Sequence, residues 1–149
     1  MKGYALTPRA IVDFMVEKLF RNGAPSRDAT VLDPGCGTGV FLDGVVRWCM
    51  SRNVPLPRLI GVDSDPARAA FSRDRFAGVD RIAIREADFL LTGSESCDYV
   101  IGNPPYVSIT GLSPIERAEY RKRYVTAQGR FDLYMLFFER ALSLLKSGG

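Results

Sequence analysis

Two consecutive prolines, Pro104 and Pro105, place the strongest local constraint on how this chain can fold. They follow a short apolar run at residues 99–101 that has the composition of a buried strand. A proline has no N–H to donate and its ring fixes φ, so two in succession cannot continue a sheet. The chain must therefore leave the strand in a rigid turn that holds Asn103 and Tyr106 at the strand's carboxyl end, where open α/β sheets bind their ligands.

The polar and aromatic groups of this turn suit one kind of ligand. The Asn103 amide, the Pro104 carbonyl and the Tyr106 ring together could grip a planar base that carries an exocyclic amine. An ordinary Pro-Pro turn, with Asn103 closing the strand, would have the same sequence. Both interpretations stay open at this point, and the candidate catalytic residues are Asn103, Pro104, Pro105 and Tyr106.

Strand-like and helix-like patterns alternate along the rest of the chain. This alternation predicts an α/β fold with a mostly parallel sheet. A helix is expected after Thr7 and Pro8, because a hydroxyl can cap its N-terminus and proline is favoured at the first helical position. Four strands are predicted, at residues 30–32, 58–62, 81–86 and 99–103. Further helices are predicted from about residue 40, from about residue 67, in a basic stretch around residues 117–124, and at residues 134–145.

A polar residue follows each predicted strand. These residues are Asp33, Asp63, Asp88 and Asn103. One such residue alone is explained as a turn former that ends a strand. Four of them in one parallel sheet would line a single crevice, because the carboxyl ends of parallel strands meet at the same edge.

Composition excludes several classes of protein and site. The 149 residues predict one domain, and the net charge of +3 permits an anionic partner without requiring one. The chain has no histidine, and its three cysteines include no C-x-x-C pair, which argues against a zinc site, a disulfide framework and histidine-dependent catalysis. No apolar run is as long as a membrane span, and no signal peptide begins the chain. We therefore expect a cytoplasmic protein without a metal.

The glycine-rich turn at residues 35–39 lets the backbone approach a ligand closely. Val40 stands where the dinucleotide fingerprint needs its third glycine, and no Lys-Ser or Lys-Thr pair follows as in a phosphate-binding loop. Asp63, about one βαβ unit downstream, is placed to accept both hydroxyls of a ribose. Asp33 suits a cationic group better than a pyrophosphate. A nucleoside with a cationic, amino-acid tail satisfies all of these features.

Four segments occur in the order seen in amino-type S-adenosylmethionine-dependent methyltransferases. They read DPGCGTG at residues 33–39, GVDSDP at 61–66, ADF at 87–89 and NPPY at 103–106. With the helix after Thr7 placed before the glycine-rich turn, the chain resembles the gamma-class DNA adenine-N6 methyltransferases of restriction–modification systems. Two later segments, at residues 129–137 and 144–149, also resemble that group, so the resemblance covers nearly the whole chain.

This resemblance implies a Rossmann-like methyltransferase fold with S-adenosylmethionine as the cofactor. Asp63 would hold its ribose, and Asp88 would bind the amine of its adenine. Phe89 and Phe137 would contact that adenine, and Thr7 and the glycine-rich turn would contact the methionine portion. The implied cofactor-binding residues are Tyr4, Thr7, Asp33, Gly35, Cys36, Gly37, Asp63, Ser64, Asp88, Phe89, Asn103 and Phe137.

The implied substrate is an adenine in double-stranded DNA. The Asn103 oxygen and the Pro104 carbonyl would accept hydrogen bonds from its N6 amine and make the nitrogen more nucleophilic, without a covalent intermediate. The base must first be flipped out of the duplex, and stacking on Tyr106 would offset part of that cost. Basic residues at 117–130, interleaved with tyrosines, could track DNA phosphates; a solvated helix face with Glu116 and Glu119 as partners explains them equally well.

The resemblance also implies that strands are missing. The family's sheet continues beyond the fourth strand, and its next strand begins just after a turn such as residues 146–149. We therefore expect residues 1–149 to be the N-terminal part of a catalytic domain, with sheet order 3-2-1-4 and without the target-recognition domain. Such a fragment would bind cofactor but be inactive alone. Its fourth strand would be an open edge, prone to self-association.

Three other functions fit parts of the sequence. A protein-glutamine N5 methyltransferase of the release-factor type also uses Asn-Pro-Pro-Tyr, on a planar amide. The helix at Thr7 and the lack of a Glu-Pro element shortly after Tyr106 argue against it. A methyltransferase acting on RNA or another amine, and a non-catalytic module that binds a cofactor or assembles with other chains, remain alternatives.

Overall fold

Helices and strands alternate as predicted up to the third strand, which the fourth strand follows with no helix in the described residues between them. The computed structural model describes residues 6–93 and 95–149, so Tyr4 lies outside the described residues. The elements are α1 (Arg9–Leu19), β1 (Thr30–Asp33), α2 (Val40–Arg52), β2 (Arg58–Asp63), α3 (Pro66–Arg75), β3 (Ile82–Glu86), β4 (Tyr99–Val100), a 3-10 turn (Ile109–Gly111), α4 (Pro114–Arg123) and α5 (Leu133–Leu144).

The four strands form one parallel sheet with the order β3-β2-β1-β4. β1 lies in the middle, where Val31 pairs with Leu59 of β2 on one side and with Tyr99 of β4 on the other. The predicted fold class and strand order are therefore confirmed. All four strands run in the same direction, so their carboxyl ends lie along one edge.

Helices cover both faces of this sheet. Successive strand residues point to opposite faces, so Val31 and Leu59 pack with α1 and α2, whereas Leu32 and Ile60 pack with α4 and α5. All four of these strand side chains are almost fully buried. The resulting three layers hold the sheet rigidly and leave its carboxyl edge accessible between the helices.

The start of α1 differs from the predicted one. Its N-cap residue is Pro8, with no side-chain capping bond, and its first helical residue is Arg9. The expectation that Thr7 caps this helix is therefore wrong. Thr7 uses its hydroxyl elsewhere, since its Oγ1 accepts a hydrogen bond from Asn103 Nδ2 at 3.3 Å.

β4 is shorter than predicted, with only Tyr99 and Val100 in the strand. The chain after α5 runs beside the residues that precede it. Cys97 donates to the Leu144 carbonyl at 2.9 Å, and its own carbonyl accepts from the Lys146 N–H at 2.9 Å. The edge that the sequence predicts to be open is thus covered at its beginning by this segment.

Candidate active site

A cavity of about 380 Å³ lies at the carboxyl edge of the sheet. Its walls come from the ends of β2, β3 and β4, from the glycine-rich turn, and from α4 and α5. Strand ends that are far apart in sequence meet here, as the parallel topology requires. The predicted site residues that line it are Gly35, Asp63, Ser64, Asp88, Phe89, Asn103, Pro105 and Phe137.

The glycine-rich turn is held from the neighbouring strand. Gly37 and Gly39 have φ values of 55° and 79°, a region that other L-residues rarely adopt. A β-carbon on Gly39 would also lie 2.5 Å from the Phe76 ring. The Gly37 N–H donates to Asp63 Oδ2 at 2.9 Å, and its carbonyl accepts from the Ser72 hydroxyl at 2.8 Å. The turn is therefore already shaped within the protein.

Asp33 is a fully buried carboxyl at the end of β1. Its Oδ1 accepts a weak bond from the Gly35 N–H at 3.4 Å, and its Oδ2 has no partner among the described residues. Burial, and secondarily the nearby Asp63 charge, raise the pKa of Asp33 to about 8. A β-carbon on Gly102 would lie only 2.7 Å from Oδ1, so this carboxyl touches the end of β4. An unpaired buried oxygen of this kind is stabilised by a cationic donor.

Asp63 has all of its acceptor positions occupied. Oδ2 accepts from the Gly37 N–H and from Arg68 Nε, at 2.9 and 3.3 Å. Oδ1 accepts from the Asp65 N–H and from Arg68 Nη2, at 2.8 and 2.9 Å. A carboxylate has about four lone-pair sites, so Arg68 uses two of them. Arg68 was not predicted; it comes from the first turn of α3, where Asp65 caps the helix.

Asp88 is held by two donors from different elements. Its Oδ1 accepts from the Leu90 N–H at 2.8 Å, and its Oδ2 accepts from the Tyr120 hydroxyl of α4 at 3.1 Å. Tyr120 is only 4% exposed, and burial followed by the Asp88 charge raises its pKa, so it stays a donor. Sequence reasoning missed Tyr120 as a site residue, because it was assigned to a basic surface segment.

The Phe89 and Phe137 rings lie side by side next to Asp88. Their centroids are 5.2 Å apart, and both side chains are buried. A β-carbon on Gly35 would lie 3.7 Å from the Phe137 ring, so the glycine-rich turn and α5 are in close contact. This part of the cavity offers an apolar surface beside a carboxylate, which suits an aromatic ring that bears an amine.

The turn at residues 103–106 forms the opposite side of the cavity. Asn103 is partly buried, and its Nδ2 is engaged with the Thr7 hydroxyl, so Oδ1 remains as an acceptor. Pro105 lines the cavity, whereas Pro104 lines an apolar groove on the far side of β4. Tyr106 is 63% exposed, with its ring centroid 6.0 Å from that of Tyr134.

Several predicted residues lie beside the cavity without lining it. Within the described chain these are Thr7, Asp33, Cys36, Gly37, Pro104 and Tyr106. The Cys36 side chain packs into the core, where burial raises the pKa of its thiol. Cys36 can therefore meet a ligand only through its backbone.

The basic segment does not present interleaved tyrosines to solvent. Tyr120 and Tyr124 are both buried, which contradicts the expectation that they share a phosphate-tracking surface with the basic residues. Lys122 pairs with Glu119 at 2.9 Å, and Glu116 forms a capping box with Ser113 at the start of α4. This helix face agrees better with the predicted alternative of a solvated, internally paired surface.

The described residues were compared with the requirements of a membrane span, a metal site and a disulfide. Within residues 6–93 and 95–149 no helix is long and apolar enough to cross a membrane. In the same residues no group of three or more His, Cys, Asp or Glu side chains is placed to hold a metal ion. Cys36, Cys49 and Cys97 are buried and free.

Solved structures share this fold. A class I S-adenosylmethionine-dependent methyltransferase of Listeria monocytogenes aligns with a TM-score of 0.76 and 21% identity, over 98% of this chain and 45% of that chain. A methyltransferase subunit of a type I restriction-modification system from Streptococcus thermophilus aligns with a TM-score of 0.73 and 18% identity, over 98% and 33%. The fold is that of S-adenosylmethionine-dependent methyltransferases.

Sequence comparison identifies the family of the chain. The model of the Eco57I restriction-modification methylase family matches residues 59–149. The chain belongs to this family. The Type II methyltransferase M.PaeR7I of Pseudomonas aeruginosa is 31% identical over 99% of this chain, and M.TthHB8I of Thermus thermophilus is 32% identical over 99%. The chain spans about a third of the length of these relatives, 30% and 33%.

The Eco57I family and its fold support S-adenosylmethionine as the cofactor, and the cavity fits that molecule. Asp33 lies behind the cavity wall, and its unpaired oxygen would be satisfied by a cationic group that reached it. The carboxylate of Asp88 beside Phe89 and Phe137 suits an adenine. The cavity therefore offers groups suited to an adenine, whereas the Asp63 carboxylate is occupied by Arg68 and two backbone N–H groups.

Proposed function

We propose that this chain forms the catalytic part of an enzyme that transfers a methyl group from S-adenosylmethionine to the N6 amine of an adenine flipped out of double-stranded DNA. The carrying observation is the Asn103 side chain, which lines the cavity and whose Nδ2 donates to Thr7, while its Oδ1 accepts no hydrogen bond from the described residues. Membership of a restriction-modification methylase family supports DNA as the substrate. The residue types at 103–106, with Asn103 at the cavity, support an exocyclic amine as the target.

The cofactor site of this proposal uses the cavity walls together with residues that lie directly behind them. Asp33 and the glycine-rich turn would hold the methionine portion, Asp63 and Ser64 the ribose, and Asp88 with Phe89 and Phe137 the adenine. Cys36 and Gly37 would contribute through the backbone, and Thr7 through its support of Asn103. When bound, this cofactor supplies an electrophilic methyl group on a sulfonium.

The chain's own residues act by positioning and hydrogen bonding. Asn103 Oδ1 and the Pro104 carbonyl would accept the two N–H groups of the target amine, which turns its lone pair out of the ring plane. Thr7 would support the Asn103 side chain, whose Nδ2 donates to the Thr7 hydroxyl at 3.3 Å. Tyr106 and the nearby Tyr134 offer an exposed aromatic surface on which a flipped base can stack.

The proposed enzyme is longer than residues 1–149. The relatives are about three times as long as the aligned region, and target recognition would reside in the further sequence. We propose that residues 1–149 alone bind cofactor but do not methylate DNA. We also propose the cytoplasm as its location, because the three buried cysteines are free, a state that a reducing compartment maintains.

We also propose that the fragment self-associates through the surface beside β4, on the side away from β1. Phe14, Phe138 and Leu142 are 60%, 59% and 68% exposed around an apolar groove next to this strand. In the isolated fragment, this surface would favour self-association through the β4 edge. Sedimentation at several concentrations tests it, and a monomer at all of them would contradict it.

The experiment has two stages and uses the complete gene product. Titration calorimetry with S-adenosylhomocysteine first tests the cofactor site, and no binding would contradict the proposed function at its base. Tritiated methyl transfer is then compared among duplex DNA containing adenine, the same sequence with every adenine replaced by N6-methyladenine, an RNA duplex, and a release-factor peptide with a Gly-Gly-Gln loop. Label only on the adenine duplex supports the proposal. Label on the peptide or the RNA instead assigns one of the other methyltransferase functions.

A further inference from the structure

The loop after β3 is clamped by side chains from the end of α4. The Tyr120 hydroxyl donates to Asp88 Oδ2 at 3.1 Å, and the Tyr124 hydroxyl donates to the Leu90 carbonyl. Arg123 Nη1 adds a bond to the Leu91 carbonyl at 3.2 Å. Only the Tyr120 bond ends on a side chain that lines the cavity; the other two end on the backbone.

The Tyr120 bond fixes the orientation of the Asp88 carboxylate. With Leu90 N–H on Oδ1 and Tyr120 on Oδ2, the carboxylate is held by one donor at each oxygen. Each oxygen has a second lone-pair site, so the group can still accept from a ligand. Without Tyr120, the side chain would keep one anchor and could rotate about its last bond.

We propose that Tyr120 is a positioning residue that aims the Asp88 carboxylate at the 6-amino group of the cofactor's adenine, and so sets the preference for adenosine over purines that lack this amine. The inference rests on the proposed function, because it requires the adenine to lie between Asp88 and the Phe89–Phe137 pair. A hydrogen bond discriminates only when its acceptor is held in place beforehand, since mobility of the carboxylate would weaken the bond. Tyr120 is buried in the core and brings this rigidity from α4.

The test measures the ratio of affinities for two ligands that differ only in the 6-amino group. A general loss of protein stability would lower both affinities and leave this ratio unchanged. Calorimetry gives the affinities of the complete gene product for S-adenosylhomocysteine and for its analogue with hydrogen in place of the 6-amino group. In the wild type we expect a preference of about tenfold or more for the natural compound, the scale of a hydrogen bond to a charged group. Tyr120→Phe keeps the buried ring and should lower the preference to less than about threefold, with little change in affinity for the analogue.

Tyr124→Phe is the matched control, because it removes a buried hydroxyl from the same clamp without touching Asp88. It should leave the preference intact. In an Asp88→Ala background, Tyr120→Phe should change the preference no further. Full preference in Tyr120→Phe, or equal loss in both tyrosine variants, would overturn the inference. If the wild type binds neither compound, the proposed function itself fails, which is a distinguishable result.

Discussion

The two sides of the crevice are built in different ways. On the cofactor side, at the ends of β1, β2 and β3, the carboxylates of Asp63 and Asp88 are each held by several donors, and Asp33 is fully buried. On the substrate side, at the end of β4, Asn103 has one side-chain bond and Tyr106 is 63% exposed. The side proposed for the cofactor is thus largely fixed by internal hydrogen bonds, whereas the side proposed for the substrate is more exposed and less constrained.

The largest expected effect tests the substrate side. In the complete gene product, Asn103→Ala should lower methyl-transfer turnover by about 10²–10³-fold, as the loss of one positioned hydrogen-bonding group does. Affinity for S-adenosylhomocysteine should change little, because the carboxylates of the cofactor side stay in place. Asn22→Ala, at an exposed turn, serves as the control. An equal loss of cofactor affinity in Asn103→Ala would erase the distinction between the two sides.

Asp63→Ala tests the cofactor side. The change removes the carboxylate assigned to the ribose and should weaken cofactor binding by about 1–3 kcal/mol, the scale of charge-assisted hydrogen bonds. Titration calorimetry measures this, with urea unfolding to confirm that the variant is folded. Asp74→Ala, an exposed carboxylate on α3, is the control. Unchanged affinity in Asp63→Ala would move the ribose site elsewhere.

These effects separate what sequence can predict from what it cannot. Asp63, Asp88 and Asn103 come together as predicted, because each lies at or just after the carboxyl end of a strand in one parallel sheet, and the topology brings these ends to one edge. Tyr120 and Arg68 were not predicted as site residues. Their positions depend on how α3 and α4 pack against the sheet, and local patterning carries no signal for that.

Thr7 illustrates a different limit of the sequence. Local propensity assigns its hydroxyl to the adjacent helix, but the structure uses that hydroxyl for a residue 96 positions away. The sequence predicts a helix start near Thr7 and the end of a strand before the two prolines, and the structure has both. Their contact with each other depends on tertiary structure.

A pH series tests the burial of Asp33. Its pKa of about 8 in the folded protein lies above the ordinary 3.8, so between these values the folded state binds more protons than the unfolded state. The free energy of unfolding should therefore fall as pH rises through this window and level off above it. Asp33→Asn should remove that fall, a difference on the order of 4 kcal/mol between pH 5 and pH 9 in urea unfolding. Parallel pH profiles for the two proteins would show that Asp33 is not the group involved.

The smallest expected effect concerns Arg68, which holds two of the four acceptor positions of Asp63. A ribose can reach this carboxylate only by displacing the guanidinium. The apparent affinity for the cofactor is therefore lowered in proportion to the fraction of molecules in which Arg68 occupies Asp63. Arg68→Met should therefore tighten S-adenosylhomocysteine binding by less than about tenfold. Arg73→Met, which removes an exposed ion pair from the same helix, should not. Weaker binding in Arg68→Met would mean that Arg68 stays in place and binds the ligand.

The contact between Gly102 and Asp33 limits how such enzymes can be redesigned. A β-carbon at position 102 would lie 2.7 Å from the Asp33 carboxyl, so a larger residue at position 102 requires a change at position 33 as well. A library that seeks new target amines should therefore keep positions 33 and 102 fixed together and vary the exposed position 106.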